Sequence, residues 1–306
     1  MELSVVYGND IRKLLPIDAA IDAVEEMFRA SGSSAPARNH LDVGTGELLL
    51  MPAWGKSGVG VKLVTVNPSN PEAGLPLVNG IYLLFDRATL QPVLVADAAV
   101  LTGIRTAAVS AVATRHLARA DSSRLVIFGA GVQARHHLEA MLAVRPFEEV
   151  VCVSRSAWRA DEFVVWARTL GCHARAGTPD AVADADVVCT CTTSPAPVFD
   201  GAWIADGAHV NAIGSYQPHT RELDSVMIRR ARIIVETRAA ALAEAGDLLI
   251  PIAEGAIAAE DIVADLAEVV GGALVRNDRA GITVFKSVGI ATEDLAVATA
   301  LHDRII

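Results

Sequence analysis

A glycine turn between an apolar run and a helix-like stretch is the feature that most constrains the fold of this chain. The mostly apolar residues 124–128 lead into Gly129-Ala130-Gly131-Val132-Gln133-Ala134, and a second apolar run, 150–153, follows about 20 residues later. Glycines allow a sharp turn and a close approach to a pyrophosphate, and Ala134 is an allowed replacement for the third glycine. A helix N-terminus favours anions through its unpaired N–H groups and its dipole. The pattern predicts a dinucleotide site at Gly129, Gly131 and Ala134.

The end of the second apolar run bears on which nucleotide binds there. An acidic residue at this place would hydrogen-bond the adenosine ribose and repel a 2′-phosphate, but the sequence has Ser154-Arg155-Ser156, with Arg159 one helical turn further on. A guanidinium and two hydroxyls suit a phosphate dianion. We predict NADPH rather than NADH as the cofactor. The alternative is that Arg155 is an ordinary solvated loop charge.

Length and charge exclude several classes of function. At 306 residues the chain is long enough for two domains. Its net charge of −10 and the lack of a basic stripe argue against a nucleic-acid partner. No apolar run is long enough to span a membrane and no signal peptide opens the chain, so we expect a cytoplasmic protein without a membrane partner. Neither the 8 histidines nor the 4 cysteines show metal-ligand spacing, and no metal is predicted.

The pattern of predicted elements divides the chain into two domains. The first 110 residues combine an amphipathic helix at 18–28 with strands around 47–50, 60–66 and 81–85, which indicates an α+β domain with a largely antiparallel sheet. A helix at 98–117 leads into the second domain. The helix near 293–304 is expected to return to the first one. The predicted domains are therefore 1–110 plus 290–306, and 111–289.

Strands and helices alternate after Ser154, with strands at 187–191, 209–212 and 233–235 and a last strand at 282–289. This alternation predicts an α/β domain, a Rossmann-type doubly wound parallel sheet. Ligands of such sheets bind beyond the carboxyl ends of the strands. The candidate cofactor contacts at these ends are Thr192, Thr193, Ser194, Ile213 and Gly214.

Three cations stand alone in apolar or restricted settings of the first domain. Arg38 follows Ala35-Pro36-Ala37, Lys62 interrupts an apolar strand, and Arg105 lies in a helix that reads as mostly buried. Because a charge in an apolar setting is costly without a partner, a bound substrate carboxylate would account for all three. The alternative is that each finds a protein carboxylate or extends to water.

Several strings of the sequence resemble the ornithine cyclodeaminase/μ-crystallin family across nearly the whole chain. They are Gly60-Val61-Lys62, Gly74-Leu75-Pro76, Thr102-Gly103-Ile104-Arg105-Thr106-Ala107-Ala108, the glycine turn at 129–134, Arg221-Glu222-Leu223-Asp224 and Thr283-Val284-Phe285-Lys286-Ser287-Val288-Gly289. The resemblance implies a homodimer joined through the first domain and a substrate carboxylate held by Arg38, Lys62 and Arg105. It also implies dinucleotide contacts from Ala130, Gln133, Thr193 and Ser287, and a nicotinamide pocket lined by Ile213-Gly214-Ser215.

One stretch discriminates among the reactions that the resemblance allows. Cyclodeaminases of the family read Gly-Gly-Asp-Cys-Pro-Gly-Lys here and use the Asp as an acid/base, whereas this chain has Tyr216 at the Asp position and Thr220 at the Lys position. We therefore expect no acidic side chain beside the three cations to drive deamination. The stretch is closer to the ketimine reductase and μ-crystallin members.

The predicted reaction is the NADPH-dependent reduction of a small cyclic imino acid, 1-pyrroline-2-carboxylate or 1-piperideine-2-carboxylate, to L-proline or L-pipecolate. Arg38 and Arg105 would hold the carboxylate and Lys62 would polarise or protonate the imine, while Tyr216 would be a second donor or line the pocket. Three alternatives stay open. They are ornithine or lysine cyclodeamination with bound NAD, alanine dehydrogenation, and noncatalytic NADPH binding of the μ-crystallin kind.

Overall fold

The computed structural model of the protein describes residues 3–30, 32–276 and 278–305. It divides into two compact units, Met1–Ala108 with Ile290–Ile306, and Val109–Gly289. The boundary falls inside one helix, Ala98–Leu117, whose two halves belong to different units. In the described part of the chain, no helix combines the length and apolarity that crossing a membrane requires.

The described residues include fourteen strands and ten α-helices. The strands are β1 Ser4–Val6, β2 Asn39–Asp42, β3 Glu47–Gly55, β4 Gly58–Val66, β5 Val78–Phe85, β6 Pro92–Asp97, β7 Arg124–Phe128, β8 Glu149–Val153, β9 His173–Ala176, β10 Val187–Thr190, β11 His209–Ala212, β12 Ala231–Val235, β13 Ile262–Asp265 and β14 Ile282–Lys286. The helices are α1 Asn9–Leu14, α2 Ile17–Arg29, α3 Ala98–Leu117, α4 Val132–Val144, α5 Ala157–Thr169, α6 Ser225–Arg230, α7 Arg238–Glu244, α8 Gly246–Ala253, α9 Leu266–Val270 and α10 Ala291–His302.

The first unit is built on a six-stranded sheet in the order β1-β6-β5-β4-β3-β2. Its neighbouring strands are antiparallel except β1, which runs parallel to β6. Side chains alternate across β4, with Gly60, Lys62 and Val64 buried and Val61 and Leu63 half-buried. Helix α10 packs on the sheet and against α2, so one face of the sheet carries helices.

The second unit is an eight-stranded parallel sheet in the order β13-β12-β14-β11-β10-β7-β8-β9. From the central β7 the chain moves outward to β8 and β9, then returns to β10 on the other side of β7 and continues through β11 to β12 and β13, and the last strand, β14, lies between β11 and β12. The strand order therefore reverses between β7 and β10, which is where ligands bind in sheets of this kind. This topology confirms the predicted Rossmann-type doubly wound sheet.

Candidate functional site

The turn between β7 and α4 needs one glycine for its backbone and leaves open space at the other. Gly129 has φ of +105°, and a Cβ atom there would lie 2.6 Å from the carbonyl oxygen of Cys191. Gly131 is the residue before α4, and a Cβ atom there would meet no atom within 4 Å. The N-terminus of α4 is therefore open to a ligand. These features fit the pyrophosphate of a dinucleotide.

The residues predicted to contact a dinucleotide lie beyond the carboxyl ends of several strands of this sheet. Ala130 and Gly131 follow β7, Ser154 follows β8, and Ser287 follows β14; Thr192, Thr193 and Ser194 come shortly after β10, and Ile213 and Gly214 come directly after β11. Within α4, Ala134 is buried, and the side-chain oxygen of Gln133 is buried with no hydrogen-bond partner among the described residues. Such an unsatisfied acceptor suits a ligand hydroxyl.

The end of β8 carries positive charge and no acidic side chain. Arg155 and Arg159 are exposed, and Ser154 and Ser156 are half-buried. The Arg159 guanidinium lies 5.3 Å from the ring centroid of the exposed Trp158. This arrangement leaves both guanidinium groups accessible to an anion.

One buried carboxylate joins the loops that follow β10 and β11. Glu222 accepts hydrogen bonds from the hydroxyls of Thr190 at 2.7 Å and Thr192 at 2.6 Å, and from the backbone N–H groups of Thr192 at 2.8 Å and Gly214 at 2.6 Å. Burial, followed by the nearby Asp247 charge, raises the pKa of Glu222. Four donors on a fully buried acceptor fix the two loops relative to each other.

Two further buried carboxylates, Asp247 and Glu236, hold the end of β14. Lys286 forms an ion pair with Asp247 at 2.9 Å, and Asp247 in turn accepts the backbone N–H groups of Glu222 and Leu223. Glu236 accepts hydrogen bonds from the Ser287 hydroxyl and from the backbone N–H groups of Val288 and Gly289. The Ser287 hydroxyl therefore already has a protein acceptor.

In the first unit the structure brings the predicted cations together. Lys62 Nζ lies 2.8 and 3.0 Å from the two carboxylate oxygens of Asp294, and Arg105 contacts Asp294 through Nε at 3.2 Å. Arg105 also binds Glu293 through Nη1 at 3.0 Å. These four side chains are buried, whereas Arg38 is half-buried and its charge acts on Lys62.

The structure gives Lys62 and Arg105 protein carboxylate partners, which is the alternative to a bound substrate carboxylate that the sequence left open. Asp294 and Glu293, in the first turn of α10, are fully buried and pair with Lys62 and Arg105. Sequence reasoning missed them although they carry the same signal as the cations, charge inside an apolar segment. It also missed Glu222, Glu236 and Asp247, which support the strand ends of the second unit.

Burial and its charged neighbours set the proton affinity of the lysine. Burial lowers the pKa of Lys62 most and Asp294 raises it, while Arg105 and Arg38 lower it by smaller amounts; the net result is a pKa of about 8. The phenol of Tyr82, the cross-strand neighbour of Lys62, is buried, and no residue in the described part of the chain forms a hydrogen bond with it. Burial, followed by the Asp294 charge, raises the pKa of Tyr82 well above its usual value.

Tyr216 belongs to the second unit, whereas Lys62, Arg105 and Asp294 belong to the first. The Tyr216 side chain is half-buried and packs against the apolar core of the second unit. Among the described residues, no group of three or more histidine, cysteine or acidic side chains could hold a metal ion.

The parallel sheet with its glycine turn at the point of strand reversal defines a protein of the Rossmann class. A model of the ornithine cyclodeaminase/mu-crystallin family matches residues 1–306. The chain belongs to this family.

Three relatives show what kinds of protein the chain is similar to. A Delta(1)-pyrroline-2-carboxylate reductase of Bacillus cereus is 37% identical, over 99% of this chain and 96% of that protein. The structure of the Thermococcus litoralis Delta(1)-pyrroline-2-carboxylate reductase in complex with NADH and L-proline is similar with a TM-score of 0.94 and 34% identity, over 99% of this chain and 97% of the other. An archaeal alanine dehydrogenase dimer with bound NAD has a TM-score of 0.94 and 33% identity, over 99% and 96%. All three are named as oxidoreductases.

Proposed function

We propose that this protein reduces a small cyclic ketimine that bears a carboxylate, 1-pyrroline-2-carboxylate or 1-piperideine-2-carboxylate, with NADPH as reductant. The observation that carries the proposal is the buried cluster of Lys62 and Arg105 with Asp294 and Glu293. The charge of Arg38 acts on Lys62 in this cluster. The family and the reductases that the chain resembles support the same reaction. The products are L-proline or L-pipecolate.

The chain's own residues divide the work between anion binding and proton transfer. Arg38 and Arg105 bind the substrate carboxylate and fix the ring, since a guanidinium donates to both oxygens of a carboxylate. Lys62 donates a proton to the imine nitrogen. The bound dinucleotide supplies the hydride that adds to the imine carbon. Low local dielectric strengthens each of these interactions compared with water.

We assign the cofactor as NADPH because the end of β8 has Arg155 and Arg159 and no acidic residue. The structures of two relatives contain NADH and NAD, so the test compares the two reduced cofactors, NADPH and NADH. We expect Arg155→Ala to raise the KM for NADPH by about 10- to 100-fold, the scale of a lost charge-assisted hydrogen bond, and to leave the KM for NADH unchanged. The matched control is Arg229→Ala, an exposed arginine on α6. Equal effects on both cofactors would contradict the assignment.

The reaction itself is tested with a substrate panel. Purified protein is incubated with NADPH or NADH and either one of the two imines or pyruvate plus ammonia. Separate reactions contain NAD with ornithine or with lysine. We expect cofactor oxidation with an imine and no ammonia release from ornithine or lysine. Absence of any absorbance loss with both imines would refute the proposal.

The three alternatives have different support. Cyclodeamination is disfavoured by Tyr216 at the position where the family's cyclodeaminases carry Asp, and a noncatalytic binding protein would turn over nothing in the panel. Alanine dehydrogenation is the second candidate, because an archaeal alanine dehydrogenase is as similar in structure as the reductase. Oxidation of NADH or NADPH by pyruvate plus ammonia, without turnover of imines, would identify it.

We also propose a cytoplasmic homodimer that joins through the first unit. On the sheet face that does not hold Lys62, half-buried apolar side chains form a continuous patch across three strands: Leu50, Val61, Leu63, Ile81 and Leu83. A contiguous apolar patch on a sheet indicates an interface with a partner. A second copy of the chain would cover it.

A further inference from the structure

Building on the proposed function, we propose that Asp294 is a positioning residue for proton transfer, which holds the Lys62 ammonium charged and aimed so that it donates to the imine nitrogen. The side chain of Asp294 lies at the start of α10, and Lys62 lies on β4, 232 residues earlier in the chain.

The contacts of the lysine leave one donor for a ligand. A charged lysine has three N–H groups. Lys62 Nζ donates to Asp294 Oδ1 at 3.0 Å and to the Thr102 hydroxyl at 3.4 Å, and Oδ2 of the same carboxylate lies 2.8 Å away as an ion-pair contact without hydrogen-bond geometry. No other described residue accepts from it. The remaining N–H group is therefore available to a substrate nitrogen while the other two fix the direction of the side chain.

The charged groups around Lys62 act in opposite senses. Arg105 on α3 and Arg38 before β2 both lower the pKa of Lys62, and burial lowers it most. The neighbouring phenol of Tyr82 on β5 is uncharged, and Glu293 on α10 binds Arg105. Asp294 is the group that raises the pKa of Lys62, both by its charge and by its hydrogen bond. Without this carboxylate, burial, Arg105 and Arg38 all favour the neutral amine, which cannot donate a proton to an imine.

The proton step balances with the hydride step. Hydride from the reduced nicotinamide forms the new C–H bond, and the electron pair of the C=N π bond moves to nitrogen. Nitrogen takes a proton from the Lys62 ammonium, which becomes a neutral amine and recovers a proton from water. The imine is reduced to a secondary amine and the dinucleotide is oxidised.

A pH profile separates this role from a merely structural one. In the unaltered protein, kcat/KM should fall above about pH 8, where Lys62 loses its proton. Asp294→Asn should move this alkaline limb to lower pH by about one unit or more, equivalent to a loss of about fivefold or more at pH 8 that approaches about tenfold above pH 9. Glu293→Gln is the matched control, because it removes the neighbouring charge on the same helical turn, and it should move the limb less.

Two results would overturn the inference. One is a limb at unchanged pH in Asp294→Asn, whatever the overall rate, and the other is an equal shift in both variants. If Asp294→Asn does not fold, Asp294→Glu decides, since it keeps the carboxylate charge and moves it by one methylene group. The alkaline limb should then stay near pH 8 while kcat falls, and an unchanged kcat would show that Asp294 does not aim the lysine.

A second measurement does not depend on the substrate. The chain has 4 lysines, Lys13, Lys56, Lys62 and Lys286, so lysine labelled with ¹³C at Cε gives a simple NMR spectrum. The Lys62 signal, assigned by its loss in Lys62→Arg, should titrate near pH 8 and at lower pH in Asp294→Asn. If no imine is turned over, the proposed function fails but this titration still decides the role of Asp294. Identical titrations in both proteins would refute that role.

Discussion

At the scale of single residues, charge inside an apolar segment was the informative signal. It identified Arg105 and Lys62 from the sequence, because burying a charge is costly unless a partner compensates for it. The same reasoning applies to Glu293 and Asp294 in α10, whose other buried residues are mostly apolar. What the signal could not reveal was the pairing, since Lys62 and Asp294 come from opposite ends of the chain.

Removing one member of this ion cluster should be costly for the fold. Arg105→Gln leaves Glu293 and Asp294 buried with less positive charge beside them, and breaking a buried pair in this way destabilises proteins by about 3–5 kcal/mol. Urea denaturation followed by circular dichroism measures the loss. Arg29→Gln is the control, because the Arg29 side chain is half-exposed in its pairs with Glu25 and Glu26 and its loss should barely move the midpoint. Similar midpoints for the two variants would contradict this prediction.

At the scale of elements, the sequence located those whose pattern is long or strongly marked. Helix α3 was predicted at 98–117 and begins and ends at those residues. Strands β1, β2, β6, β9 and β13 were missed, and all of these except the six-residue β6 have only 3 or 4 residues, which is short for an alternating pattern. Strand β10 ends at Thr190, so Cys191, which was predicted in the strand, lies just beyond it.

The two glycines of the β7–α4 turn make a matched pair of mutations. Gly129→Ala combines a positive φ with a Cβ 2.6 Å from the Cys191 carbonyl oxygen, so we expect a clear fall in melting temperature. Gly131→Ala has room for its Cβ and should fold normally. Its methyl group would occupy the space of the pyrophosphate, and we expect at least tenfold weaker NADPH binding, or about 1.4 kcal/mol. Calorimetry of melting and of NADPH binding measures both effects. Unchanged binding in Gly131→Ala would place the dinucleotide elsewhere.

At the scale of the whole molecule, the apolar patch on the sheet of the first unit predicts the assembly. Val61→Glu places a charge at the centre of this patch, where burial against a second copy would leave it unpaired, so we expect the dimer to dissociate. Light scattering after size-exclusion chromatography measures the mass. Val165→Glu makes the same change on the exposed face of α5, where the valine is 65% exposed, and should leave the mass unchanged. A dimeric Val61→Glu protein would place the interface on another surface.

The sequence by itself determined the fold class, the position of the dinucleotide turn and the candidate cations. Each of these is written locally, in the spacing of glycines, the alternation of apolar residues and the placement of single charges. Only the tertiary structure decided which carboxylates accompany the cations and which buried acids fix the strand ends. Glu222 joins residues 30 positions away, and Asp294 meets Lys62 across 232. A buried charge without a partner is costly, so each of these side chains is paired. Whether a side chain is buried depends on which distant segments pack around it, and its neighbours in the sequence do not determine that.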